Sequence, residues 1–131
     1  MKNLDLPNNA LLAGYLEDID FDRLLQQATG VIALSNRNHV LTRASQEALA
    51  YGKPLIISDT PTAREYYRAA AIYTENSKTS ITAACHTLIA NEKEISTHTK
   101  IRRSELLKEW DEELSKLEAE LTRLETDALT E

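Results

Sequence analysis

Between Ser35 and Asp59 the chain reads SNRNHVLTRASQEALAYGKPLIISD. Arg37, His39, Thr42, Arg43 and Glu47 fall within it, where a loop runs into a helix. Free N–H groups and the positive dipole end at a helix N-terminus suit a diphosphate. Arg37, Thr42 and Arg43 would add charge or a hydroxyl, and Leu41 brackets the same turn. Glu47 comes a turn and a half into the helix, where a carboxylate suits hydroxyl groups such as those of a ribose. The plain alternative is that Arg37, Arg43, His39 and Glu47 are solvated surface residues. His86 and His98 sit on polar helical stretches and read as surface, and Tyr66 and Tyr67 as packing residues. No group of His, Cys and carboxylates has metal-ligand spacing, so neither a metal nor a cofactor is expected. Gly-x-Gly-x-x-Gly, Walker and Gly-x-Ser-x-Gly patterns are missing.

Strands and helices must position that stretch. Ala10–Tyr15 (ALLAGY) is an apolar run and predicts a buried strand after the Pro7-Asn8-Asn9 turn. Residues 18–28 predict a helix with Ile19, Phe21, Leu24, Leu25 and Ala28 on one face, capped by Asp18 or Asp20 and closed by Gly30. Val31–Ser35 is a second strand. Leu41–Tyr51 is a second helix, with Leu41, Ala44, Ala48 and Leu49 inward and Gly52 past its end. Leu55–Ser58 is a third strand. A third helix starts at Thr60 or Thr62 with Pro61 in its first turn and runs to Arg68. Residues 70–74 form a fourth, weaker strand. No strand alternates in and out, so the expected class is α/β: a partial Rossmann-like parallel sheet of about four strands, flanked by helices.

After that the chain is helical. Ser80–Asn91 turns Ile81, Ala84, Cys85, Leu88 and Ile89 inward, residues 92–99 are polar and either helical or a break, and a long C-terminal helix covers Ile101–Leu124. Leu107, Trp110, Leu114, Leu117, Leu121 and Leu124 alternate steps of three and four, a heptad seam. The expected organisation is one domain, with βα repeats over 10–76 and helices over 78–131.

Composition narrows the partners. The net charge is −6, which disfavours nucleic acid and anionic membrane. It is uneven: residues 104–131 carry ten acidic and three basic side chains, leaving about +1 on the rest. The single cysteine, Cys85, excludes an internal disulfide and fits a reducing compartment. No apolar run suits a membrane helix, and Met1-Lys2-Asn3 leads into no leader segment, so a cytoplasmic location is expected.

The order of these segments resembles a family. LLAGYLEDIDFDRLLQQATGVIAL (residues 11–34) followed by EALAYGKPLIISD (Glu47–Asp59) is similar to the distal part of the nucleotide-sugar-binding domain of retaining two-domain glycosyltransferases (group 1). The likeness runs to about Leu117. It implies that Glu47 is the second acid of a Glu-x7-Glu motif holding the donor ribose, with Leu41, Thr42 and Arg43 against the diphosphate. His39 stands where the family carries its first acid, facing the donor sugar. Trp110 in LLKEWDEEL resembles the tryptophan of the family's closing helix. The matched part begins at the family's third strand. The resemblance therefore implies a partial site for a nucleotide-diphosphate sugar, inactive alone. It also implies a homo-oligomer through the helix, or a separate chain supplying the missing half. The alternative is a non-catalytic interaction protein built on a remnant Rossmann-like unit and a helical oligomerisation seam. A nucleotide module of another family would need the glycine-rich loop this chain lacks.

Overall fold

The computed structural model describes residues 5–130. The reading of Met1-Lys2-Asn3 lies outside them. The element order is α1 (Asp18–Gln27), β1 (Val31–Ala33), α2 (Arg43–Ala50), β2 (Leu55–Ser58), α3 (Pro61–Tyr67), a 3-10 turn (Arg68–Ala70), β3 (Ala71–Thr74), α4 (Lys78–Ala90) and α5 (Glu92–Leu129).

The strands form a parallel sheet in the order β1-β2-β3, with Val31 beside Leu55 and Leu55 beside Ala71. β2 is central and all four of its residues are buried, as its unbroken apolar run requires. Alternate side chains leave opposite faces. Leu55 and Ile57 join Ala48, Leu49, Ala63 and Tyr67 beneath α2 and α3, while Ile56 meets Ala84 and Leu88 of α4. Complete burial of a side chain such as Leu55 contributes roughly 1.5–3 kcal/mol.

Local chemistry explains the boundaries. Thr42, Thr60 and Ser77 each cap a helix through a side-chain oxygen that accepts a backbone N–H three residues on. Gly52, at φ +67, ends α2, with Gly52 N and Lys53 N donating to Leu49 O and Ala48 O. A Cβ on Gly30 would lie 2.6 Å from Leu88 Cδ1 and 3.1 Å from the Pro54 carbonyl oxygen, so this residue lets β1 pass close beneath α4.

The structure corrects several expectations. The sheet has three strands among the described residues, because Ala10–Tyr15 is not one of them. Apolar composition alone does not make a strand; it needs a paired edge and a surface to bury. Here Ala10 N closes a turn on Pro7 O, Gly14 at φ +65 breaks the extended path, and Leu11, Leu12 and Tyr15 are exposed. On α1 only Leu25 is fully buried; Ile19 and Leu24 face solvent, and its N-cap is Glu17 rather than an aspartate. Ala44 is exposed and Ser45 takes the inward position, while Ile89 on α4 also points outward. Of the two readings of the polar stretch 92–99, helix or break, the helix is found: it is the start of α5, set off from α4 only by Asn91.

The first turns of α5 are anchored. Ile95, Thr99 and Arg102 are buried. Thr99 Oγ1 donates to Ile95 O at 2.8 Å, and Arg102 Nε donates to Tyr66 O at 2.7 Å. Arg103 Nη1 donates to Ala50 O at 2.9 Å, placing a cation at the C-terminal end of α2. From Leu107 onward every described residue is exposed.

Candidate functional site

The site grows from the carboxyl ends of the three strands, where open parallel sheets receive ligands. Ser58, at the end of β2, accepts from Ser35 N at 2.9 Å and donates to Asn76 Oδ1 at 2.6 Å. Asn76, after β3, returns a bond from Nδ2 to Ser35 O at 2.9 Å. This triangle fixes the start of the loop that leads to α2. Arg37 N then donates to Ser35 Oγ at 3.1 Å, turning the loop. The side chains of Arg37 and His39 are exposed beyond it and make no hydrogen bond among the described residues.

The loop ends in a buried polar knot. Ser45 Oγ accepts from Tyr67 Oη at 2.7 Å and from Thr42 Oγ1 at 3.1 Å, and donates to Thr42 O at 2.7 Å. Burial pushes the Tyr67 hydroxyl up to about 12, so it stays a donor across the neutral range. The knot holds the first turn of α2 against α3. Leu41 packs half-buried against the same core. The first-turn N–H groups of Arg43 and Ala44 have no acceptor among the described residues and lie at the positive end of the helix.

One turn on, Glu47 is partly covered, its side chain 24% exposed. Its Oε1 accepts from Arg43 Nε at 2.7 Å, a pair that lies along the rim of α2. The bond raises the Arg43 guanidinium further above its ordinary value. Both residues line an open groove of about 680 Å³ between α2 and α5. Leu49, Ala50, Tyr66 and Leu106 contribute apolar surface to it, and Arg103 and Trp110 line it as well. Three carboxylates (Glu47, Glu109 and Glu113), two guanidiniums (Arg43 and Arg103) and an indole thus border one cleft, a set suited to a ligand that has hydroxyls and a flat ring.

The family model for glycosyl transferases group 1 matches residues 1–105. The chain belongs to this family. No curated protein and no solved structure matches it. As in the expected partial Rossmann-like domain, the chain carries a parallel sheet, flanking helices and a long closing helix, α5. The match ends within α5, close to the charge boundary near Ser104, so Trp110 and the leucine seam lie beyond the matched residues. Among the described residues no helix is long and apolar enough to cross a membrane.

Within the group 1 segment, the structure gathers Leu41, Thr42, Arg43 and Glu47 on or beside the first two turns of α2. Arg37 and His39 stay in the loop before it. Sequence reasoning missed Ser45, Ser58 and Asn76. Their roles depend on partners 18 to 41 residues away, although a serine among the inward positions of a helix was a visible signal. It also missed Arg103, which reaches α2 from 53 residues downstream.

Proposed function

We propose that this chain is a glycosyltransferase domain fragment that carries part of the donor site for a nucleotide-diphosphate sugar and is inactive alone. Glu47 receives the ribose hydroxyls. The N–H groups of Arg43 and Ala44, with the Thr42 and Leu41 turn, receive the diphosphate, and Arg37 supplies charge from the loop. His39 stands nearest the transferred sugar. The observation that carries this reading is a largely covered carboxylate one turn beyond an open helix N-terminus at the carboxyl edge of a parallel sheet. When the other half of the cleft is supplied, a sugar passes from the nucleotide diphosphate to an acceptor hydroxyl. The helix dipole and arginines here stabilise charge on the leaving diphosphate. This chain offers no general base, so proton removal from the acceptor falls to the other half or to solvent.

A second reading has its own support. Arg43 already holds Glu47 at 2.7 Å, and His39 replaces an acid. A remnant unit that no longer binds sugar nucleotides, and serves assembly through α5, would look the same. Calorimetric titration with UDP, GDP and ADP separates the two. The donor-site reading expects saturable heat with one of them, weakened at least about tenfold by Glu47→Ala with the helical circular dichroism unchanged. No heat with any, from folded protein, favours the second reading.

A further inference from the structure

The seam on α5 is exposed along its whole length. Leu107, Trp110, Leu114, Leu117, Leu121 and Leu124 are each between 44% and 70% exposed, on a helix whose last buried residue is Arg102. An apolar stripe of this length marks a docking surface. Its heptad spacing asks for a helix as the occupant, because knobs at a and d fill holes on a facing helix. With Leu107, Leu114 and Leu121 at a and Trp110, Leu117 and Leu124 at d, the flanking positions decide the partner.

Those flanks are acidic throughout. The e positions are Asp111, Glu118 and Glu125, and the g positions are Glu113, Glu120 and Asp127. The bases of this segment, Lys108, Lys116 and Arg123, sit at b and c, away from the seam. Two of them already neutralise the g row from outside: Lys116 pairs with Glu113 at 2.7 Å, and Arg123 with Glu120 and, at 2.9 Å, with Asp127. Among the described residues, Asp111, Glu118 and Glu125 form no ion pair.

A second copy is therefore the wrong occupant. In a parallel pair g faces e of the partner, setting Glu113 against Glu118 and Glu120 against Glu125. In an antiparallel pair each row faces itself. Either way acids meet acids along the flanks, the g row offset by Lys116 and Arg123 and the e row not, and e and g charges set partner choice. The body of the chain is no better, since residues 1–103 sum to only about +1.

We infer that α5 from Leu107 to Leu124 docks a helix of a different polypeptide, one with a leucine-type seam flanked by Lys or Arg. The acids of the e row are its first contacts. Leu107, Trp110 and Glu113 also line the groove beside α2, but the seam and its flanks carry the inference, which does not depend on nucleotide binding.

The test uses the full chain at neutral pH and Trp110, its only tryptophan, as reporter. The probe is a synthetic, tryptophan-free helical peptide of about 28 residues, with Leu at a and d and Lys at e and g. A matched peptide carries Glu at e and g. The expected result is a monomeric chain whose Trp110 emission shifts to the blue with the Lys probe and not with the Glu probe. Affinity should fall more than about tenfold between about 0.05 M and 0.5 M salt. Leu117→Asp, on an exposed face that touches no core, should abolish the shift and leave the fold intact. Equal binding of both peptides, no shift with the Lys probe from folded protein, or a chain that dimerises on its own with Trp110 buried would each overturn it.

Discussion

The buried hydroxyl of Tyr67 donates to Ser45 Oγ at 2.7 Å, across 22 residues of sequence. That bond ties α3 to the first turn of α2, and so holds the open N–H groups and Glu47 in one place relative to the sheet. Both residues are fully buried. Tyr67→Phe removes the donor but leaves Ser45 with its two bonds to Thr42. A loss of about 0.5–1.5 kcal/mol is expected in urea unfolding. Tyr67→Ala, which also opens a cavity, should cost about 3–5 kcal/mol.

The same side chain sets an alkaline limit. Burial raises both Tyr67 and Tyr73 to about 12. The neutral form is thus favoured in the folded state. Below the ordinary tyrosine value near 10 this contribution is fully present; above it the unfolded chain ionises first, and stability falls as pH climbs towards about 12. Thermal melts from pH 9 upward should show that decline, and Tyr67→Phe should flatten it. An unchanged slope in the variant would remove Tyr67 from the cause.

Arg68 holds φ +52 and ψ −121, a backbone region that glycine occupies without strain. Its ion pair with Glu105 is long, 3.7 Å, and largely exposed. Relief of strain outweighs so weak a pair. Arg68→Gly is expected to raise stability by roughly 1 kcal/mol, read as a higher melting temperature. A lower one would show that the pair or the side chain's packing matters more.

Gly30→Ala should do the opposite. The added methyl would lie 2.6 Å from Leu88 Cδ1, closer than side chains pack, and 3.1 Å from the Pro54 carbonyl oxygen, a tight contact. Leu88 can turn aside, but the backbone oxygen cannot. Destabilisation of roughly 1–3 kcal/mol is expected, with the helix content of the folded state preserved.

Some of this architecture was legible in the residues. Leu55–Ser58 is the buried strand that was expected, because a short unbroken apolar run with Ile56 and Ile57 between Pro54 and Asp59 suits a strand covered on both faces. Of the two helix starts the residues offered, Thr60 and Thr62, Thr60 is the cap, with Pro61 behind it. Ala10–Tyr15 misled because apolarity reports burial and says nothing of a pairing edge. Residues 92–99 lacked an apolar stripe, yet they are helical; the surfaces that hold Ile95 and Thr99 come from elsewhere in the chain. Glu47 could be singled out from its spacing. Its groove could not, since α5 closes it from more than fifty residues away, through contacts no local pattern encodes.

The central claim is that the first two turns of α2 form a donor half-site. Backbone amide resonances of the labelled chain, followed while UDP, GDP and ADP are added in turn, test it most directly. The account predicts that one nucleotide moves Arg43, Ala44 and Glu47 together and saturably, and that Glu47→Ala suppresses the response. Shifts confined to other elements, or no shifts from a folded chain, would contradict it.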